Sequence, residues 1–130
     1  MECIVEGILM SRKDNDMEEM TLGKIKLEIE HILQEIEDGV QSIRGQNITD
    51  GYLLVASLTE KIEKVIDYIP SINKILTKTL EVNWINSILG EIIEGIQNED
   101  TVLVGDLLEY ELKEKIEEWL VIIEKYVKED

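Results

Sequence analysis

From Thr21 onward the apolar residues fall into stripes spaced by threes and fours, which puts their side chains on one face of an α-helix. In the first stripe Leu22, Ile25, Ile29, Ile32, Ile36, Gly39 and Ile43 follow this alternation, with Leu33 and Val40 widening it. A helix is predicted over about 20–44. Thr21 is its expected N-cap, because a threonine hydroxyl can accept a hydrogen bond from a first-turn amide. Gly45-Gln46-Asn47 breaks it. A second stripe, Ile48, Tyr52, Val55, Thr59, Ile62, Val65 or Ile66, and Ile69, predicts a helix over about 49–69 with Thr49 or Asp50 as cap. Proline has no amide hydrogen and disfavours helical geometry in the residue before it, so Ile69-Pro70-Ser71 reads as a corner. The third stripe runs from Ile72 through Ile75 or Leu76, Leu80, Trp84, Ile88 and Ile92 to Ile96. It predicts a helix over 71–97, with a kink position at Val82-Asn83. The fourth, through Val104, Leu108, Leu112, Ile116, Trp119, Ile123 and Val127, predicts a helix over 101–128 capped by Asn98, Asp100 or Thr101.

Four amphipathic helices with short turns specify an all-α, four-helix up-down bundle, in which the short link between the last two makes them antiparallel. Ahead of the bundle, residues 1–19 form a separate segment. Its apolar run at 2–10 is followed by the polar stretch Ser11-Arg12-Lys13-Asp14-Asn15-Asp16. The run is too short for periodicity to choose between an edge strand and a helical turn docked on the bundle. Gly39, Gly90, Gly95 and Gly105 lie inside predicted helices, where each costs about 1 kcal/mol relative to alanine. Close helix packing is the expected reason, ahead of functional bends.

Composition narrows the function classes. The 130 residues suit one domain, and a hydrophobic fraction of 44% against 32% charged is enough for a core. The single cysteine, Cys3, excludes an intrachain disulfide framework and a cysteine-based zinc site, and it fits a reducing, cytoplasmic setting. Neither a signal peptide nor a membrane-spanning stretch is visible. With 29 acids against 13 bases the net charge is −16, which repels nucleic-acid phosphates and anionic membranes. The expected partners are therefore proteins, through basic surfaces or apolar helices, and the regular seam of the first helix also suits a homodimer. Between Lys78 and Lys113 there is no base, while Glu81, Glu91, Glu94, Glu99, Asp100, Asp106, Glu109 and Glu111 all fall there. The acidic 79–112 stretch serves either recognition or solubility.

Candidate chemistry is sparse. Glu28 and His31 form a Glu-x-x-His pair on a helix, the arrangement with which bundle proteins hold iron or manganese. Such a centre needs a second pair and two more inward glutamates. A chain with one histidine could supply those only across a dimer, and His31 falls at the edge of the apolar stripe. No triad partners accompany His31, and no glycine-rich turn precedes a Lys-Ser or Lys-Thr pair. No catalytic residue and no cofactor is expected. The leading expectation is a non-enzymatic protein-binding module, an adaptor or chaperone-like protein. Trp84, Trp119, Glu109, Tyr110 and Glu111 are its candidate partner-binding residues, since aromatics anchor interfaces when they are exposed. Two alternatives remain, a dimeric carboxylate-bridged metal bundle and an acidic mimic of nucleic acid.

The stretch from Asn98 through Asp100-Thr101-Val102-Leu103-Val104-Gly105-Asp106 to Leu112, with Trp119 downstream, resembles a pattern in small uncharacterised helical proteins of low-GC Gram-positive bacteria. It covers about the last third of the chain. The resemblance implies a helical fold and a bacterial cytoplasmic origin, and it brings no site residues. In size, acidity and successive amphipathic helices the chain is also similar to flagellar and type III secretion chaperones, an architectural analogy without a shared motif.

Overall fold

A computed structural model describes residues 21–45 and 47–127. The segment 1–19, expected as a strand or helical turn, lies outside the described residues. The first helix, α1 (Leu22–Arg44), starts where expected: Thr21 is extended, and its hydroxyl accepts the Lys24 amide at 3.2 Å. The second, α2 (Ile48–Asn73), is capped at Asn47, ahead of Thr49 and Asp50, and Asp50 accepts from the Asn47 side chain at 2.8 Å.

Two sequence expectations fail at the end of α2. Pro70 lies inside the helix, which runs on to Asn73. The proline ring is on the exposed face, and one turn of helix beyond it lets Ile72 continue the buried row of Ile62, Val65 and Ile69. The predicted third helix over 71–97 then loses its first half. Residues 74–84 form an irregular connection, and α3 covers only Ile85–Gln97. Leu76 and Leu80 are buried as the stripe demanded, but in a chain of turns. Thr77, Thr79, Val82 and Asn83 are weak helix formers. Side chains replace the missing backbone ladder: Asn73 accepts the Leu80 amide at 2.8 Å and donates to the Leu80 carbonyl at 3.2 Å.

A tight cap joins α3 to the last helix. Glu99 sits in the left-handed region at φ 55, while the amides of Glu99 and Asp100 donate back to the Ile96 and Gly95 carbonyls. This double return bond closes a helix C-terminus and usually places glycine where Glu99 stands. The Asp100 carboxylate then accepts the Leu103 amide at 3.1 Å and opens the next helix.

That last helix, α4, has three consecutive parts: α-helical Thr101–Asp106, π-helical Leu107–Leu112 and α-helical Lys113–Val127. The π-turn has a cause in the sequence. Val104, Leu108, Leu112 and Ile116 are all fully buried and all four residues apart. In an uninterrupted α-helix those three steps accumulate about 120° of rotation away from the core, and one looped-out residue removes about 100° of it.

Contacts across the bundle set the topology. α1 is the hub, packed against α2 on one side and α4 on the other, and α3 packs on α4. Ile43 meets Gly51 and Glu35 meets Lys61, while Arg44 meets Asp106 and Glu37 meets Lys113, so α1 runs antiparallel to both α2 and α4. Gly95 of α3 faces Val104 of α4, which completes the up-down order. Ile25, Ile29, Ile32 and Ile36 are buried by this packing, so the seam of α1 is filled within one chain. Among the described residues no polar or charged residue is buried.

Close packing explains part of the glycine pattern. A Cβ at Gly95 would stand 2.9 Å from Val104 Cγ2, and one at Gly105 would stand 3.2 Å from Arg44 Nε. One at Gly39 would make only ordinary contact, and Gly90 faces open space, so packing does not account for either. The tightest approach is at Gly51, which the stripes do not mark: its Cβ would run into Ile43 Cγ1 and stand 3.2 Å from Ile43 N.

Candidate functional site: the tryptophan groove

The irregular connection at 74–84 folds back on the second half of α4, and this brings Trp84 and Trp119 together across 35 residues of sequence. Their ring centroids are 5.4 Å apart with planes inclined at 54°. Both indole N–H groups donate to one backbone carbonyl, that of Glu81, at 2.8 Å from Trp84 and 2.9 Å from Trp119. A carbonyl oxygen has two lone pairs, so one peptide group satisfies both rings. The Thr77 amide donates to the Tyr126 hydroxyl, which fixes the other end of the connection to the last turn of α4. Accepting that bond holds the Tyr126 phenol below its usual 10.0.

Between this pinned connection and α4 lies a groove of about 690 Å³. Trp84, Trp119, Val121 and Ile122 supply its apolar lining. Trp119 is almost wholly buried, Trp84 is half-buried and Val121 is exposed, so Trp84 and Val121 are the apolar surfaces an occupant would meet. Glu81, Glu114, Glu117 and Glu118 share the lining with Lys78, Lys115 and Lys125. None of these three lysines makes an ion pair among the described residues. Elsewhere Lys26, Arg44, Lys61 and Lys113 are each matched with a carboxylate, while Lys64 and Lys74, away from the groove, make no ion pair among the described residues either.

The other sequence candidates fall elsewhere. Glu109, Tyr110 and Glu111 all lie on the π-turn, on the order of 13 Å along α4 from Trp119. Glu109 is an internal partner: with Asp106 it holds Arg44, whose guanidinium is pushed above its usual value by the hydrogen bond to Glu109 and then by both charges. Two of the eight acids in the 79–112 stretch thereby share one guanidinium charge, and Asp100 is used as a helix cap. Tyr110 and Glu111 remain exposed. Glu28 is half-buried and His31 is exposed on α1, and no group of three or more His, Cys, Asp or Glu among the described residues is arranged to hold a metal ion.

Comparison with known sequences bears on the same region. The family described as Domain of unknown function (DUF8042) matches residues 20–122. The chain belongs to this family. The match takes in all of α1 to α3 and α4 as far as Ile122, including both tryptophans and the π-turn, and it leaves residues 1–19 outside. No curated protein and no solved structure matches the chain. No helix among the described residues of this DUF8042 domain is long and apolar enough to cross a membrane.

Sequence reading found Trp84 and Trp119 as separate residues. The Glu81 carbonyl and the three lysines escaped it, because a backbone acceptor has no sequence signature and Lys78 joins Lys115 and Lys125 only through the tertiary fold.

Proposed function

We propose that this chain is a non-enzymatic protein-binding module whose Trp84–Trp119 groove receives an amphipathic segment of a protein partner. The observation that carries the reading is the groove itself: a partly exposed apolar strip, Trp84 and Val121, beside lysines that make no ion pair among the described residues. A segment with one apolar face and acidic neighbours would bury Trp84 and Val121 and offer carboxylates to Lys78, Lys115 and Lys125, which make no ion pair among the described residues. Rigid aromatic surface of this kind commonly concentrates binding energy, and the helix-in-groove mode needs nothing beyond such a strip with matching charge.

The test uses a photo-cross-linking residue at Val121, with one at the exposed Ile93 on α3 as the control. In cells of the native organism, Val121 should capture a discrete protein that Ile93 does not. That protein, purified, should change Trp84 fluorescence saturably, and Val121→Arg should weaken it at least about tenfold, or 1.4 kcal/mol. Equal capture from both positions, or a partner indifferent to Val121→Arg, would refute the reading.

A further inference from the structure

The chain carries a candidate occupant for this groove in its own sequence. Residues 1–20 precede Thr21, and Ile4, Val5, Ile8, Leu9 and Met10 make the run near their start strongly apolar. Its charged side chains are both acidic, Glu2 and Glu6, and the groove offers Lys78, Lys115 and Lys125, which make no ion pair among the described residues, alongside Glu81, Glu114, Glu117 and Glu118, so the apolar run and not net charge carries the match. The chain also enters the bundle at the correct end. α1 runs antiparallel to α4, with Arg44 against Asp106 and Glu37 against Lys113, so the start of α1 at Thr21 lies toward the final turns of α4, which supply Val121, Ile122 and Lys125 to the groove. The reach is sufficient. Ten residues separate Met10 from Thr21 and can extend about 33 Å, whereas the stretch of α4 from Glu114 to Lys125 along the groove is about 17 Å long.

We infer that the run Ile4 to Met10 occupies the Trp84–Trp119 groove of the same molecule, with Glu2 and Glu6 toward its lysines, and that a protein partner must displace it. The inference rests on the groove being a site for apolar segments, as proposed above, and makes the amino-terminal run its internal competitor. Binding from the same chain costs little entropy of association, so even a weak contact holds the segment in place for much of the time. A partner's apparent affinity then falls by the fraction of molecules whose groove is filled.

Cys3 is the sole thiol of the full chain and takes a nitroxide spin label beside the run without any substitution. In isotope-labelled protein the amide signals of Thr79, Glu118 and Val121 and the Trp84 indole signal should broaden several-fold more than those of Asn47 and Thr101 at the opposite end. Reducing the nitroxide should restore them. The double variant Ile8→Asp with Leu9→Asp should abolish the selective broadening while leaving the bundle's spectrum unchanged. Uniform or absent broadening overturns the inference, as does broadening that survives the double variant. Spin-labelled chains without isotope are mixed with unlabelled isotopic chains as a further arm; selective broadening there means that a second copy supplies the segment, which also overturns it. Selective broadening without partner capture at Val121 upholds the docking of the run and removes the partner reading together with displacement by a partner, and capture without broadening upholds the partner reading and overturns the docking.

Discussion

Gly51 and Gly90 both sit within helices, and replacing each with alanine should change stability in opposite directions. In a helix interior alanine is favoured over glycine by about 0.5–1 kcal/mol, because glycine loses more backbone freedom on folding. Gly90 is exposed, and a Cβ there would meet nothing within 4 Å, so Gly90→Ala should retain that gain in full. At Gly51 the new methyl would enter the space of Ile43, a residue only 4% exposed. Its side chain could turn aside only into packed core, and its backbone nitrogen, 3.2 Å away, cannot move without shifting α1 against α2. Forcing an extra methyl into such a contact costs about 1–3 kcal/mol, so the clash outweighs the propensity gain and leaves Gly51→Ala about 1–2 kcal/mol less stable. Urea unfolding followed by helical circular dichroism measures both variants. With a slope of about 2 kcal/mol per molar, Gly51→Ala should move the midpoint down by about 0.5–1 M and Gly90→Ala up by about half as much. A Gly51→Ala protein as stable as the parent, with an unchanged slope, would show that α1 and α2 do not cross as closely as Gly51 and Ile43 require.

Four further outcomes follow from other contacts. Asn73→Ala removes both bonds that hold Leu80; it should cost about 1–2 kcal/mol and speed hydrogen exchange at the Leu80 amide, and unchanged exchange there would count against the clamp. Deleting Tyr110 converts the π-turn to regular α-helix, so it should cost under about 2 kcal/mol, whereas deleting Glu117 from regular helix turns the two halves of α4 by about 100° and should prevent cooperative folding. Glu99→Gly relieves a left-handed backbone and should raise stability by about 0.5–1 kcal/mol in urea unfolding; a loss would mean that the Glu99 side chain contributes a compensating contact. The hydrogen bond from Lys61 to Glu35 raises the lysine above its ordinary 10.5, so its contribution is complete below that pH and is lost as pH climbs through the raised value. Lys61→Met should therefore flatten the alkaline arm of the stability–pH curve, and an identical arm in the variant would dismiss the pair as a contributor.

Local physics made much of the fold legible. Thr21 as a cap, the seam of α1, the break at Gly45 and the antiparallel hairpin of α3 and α4 all depend on residues within a few positions of one another. The errors arose where a distant contact outweighed a local rule. Pro70 lost its terminating role because burial of Ile72 favours one more turn, and the stripe through Leu76, Leu80 and Trp84 was satisfied by a clamped loop rather than a helix. The π-turn was legible in principle, since Val104, Leu108, Leu112 and Ile116 keep a spacing of four that a straight α-helix cannot keep buried.

The sequence by itself determined that this chain buries four apolar stripes, carries a large negative charge and has one histidine and one cysteine with which to do chemistry. Periodicity and composition are properties of the chain alone, and they suffice for those statements. Only the tertiary structure decided that two tryptophans share the Glu81 carbonyl, that Arg44 joins Asp106 and Glu109, and that three lysines with no ion pair among the described residues line one groove. Each of these joins residues separated by tens of positions, and such meetings are set by how the helices pack, not by any spacing along the chain.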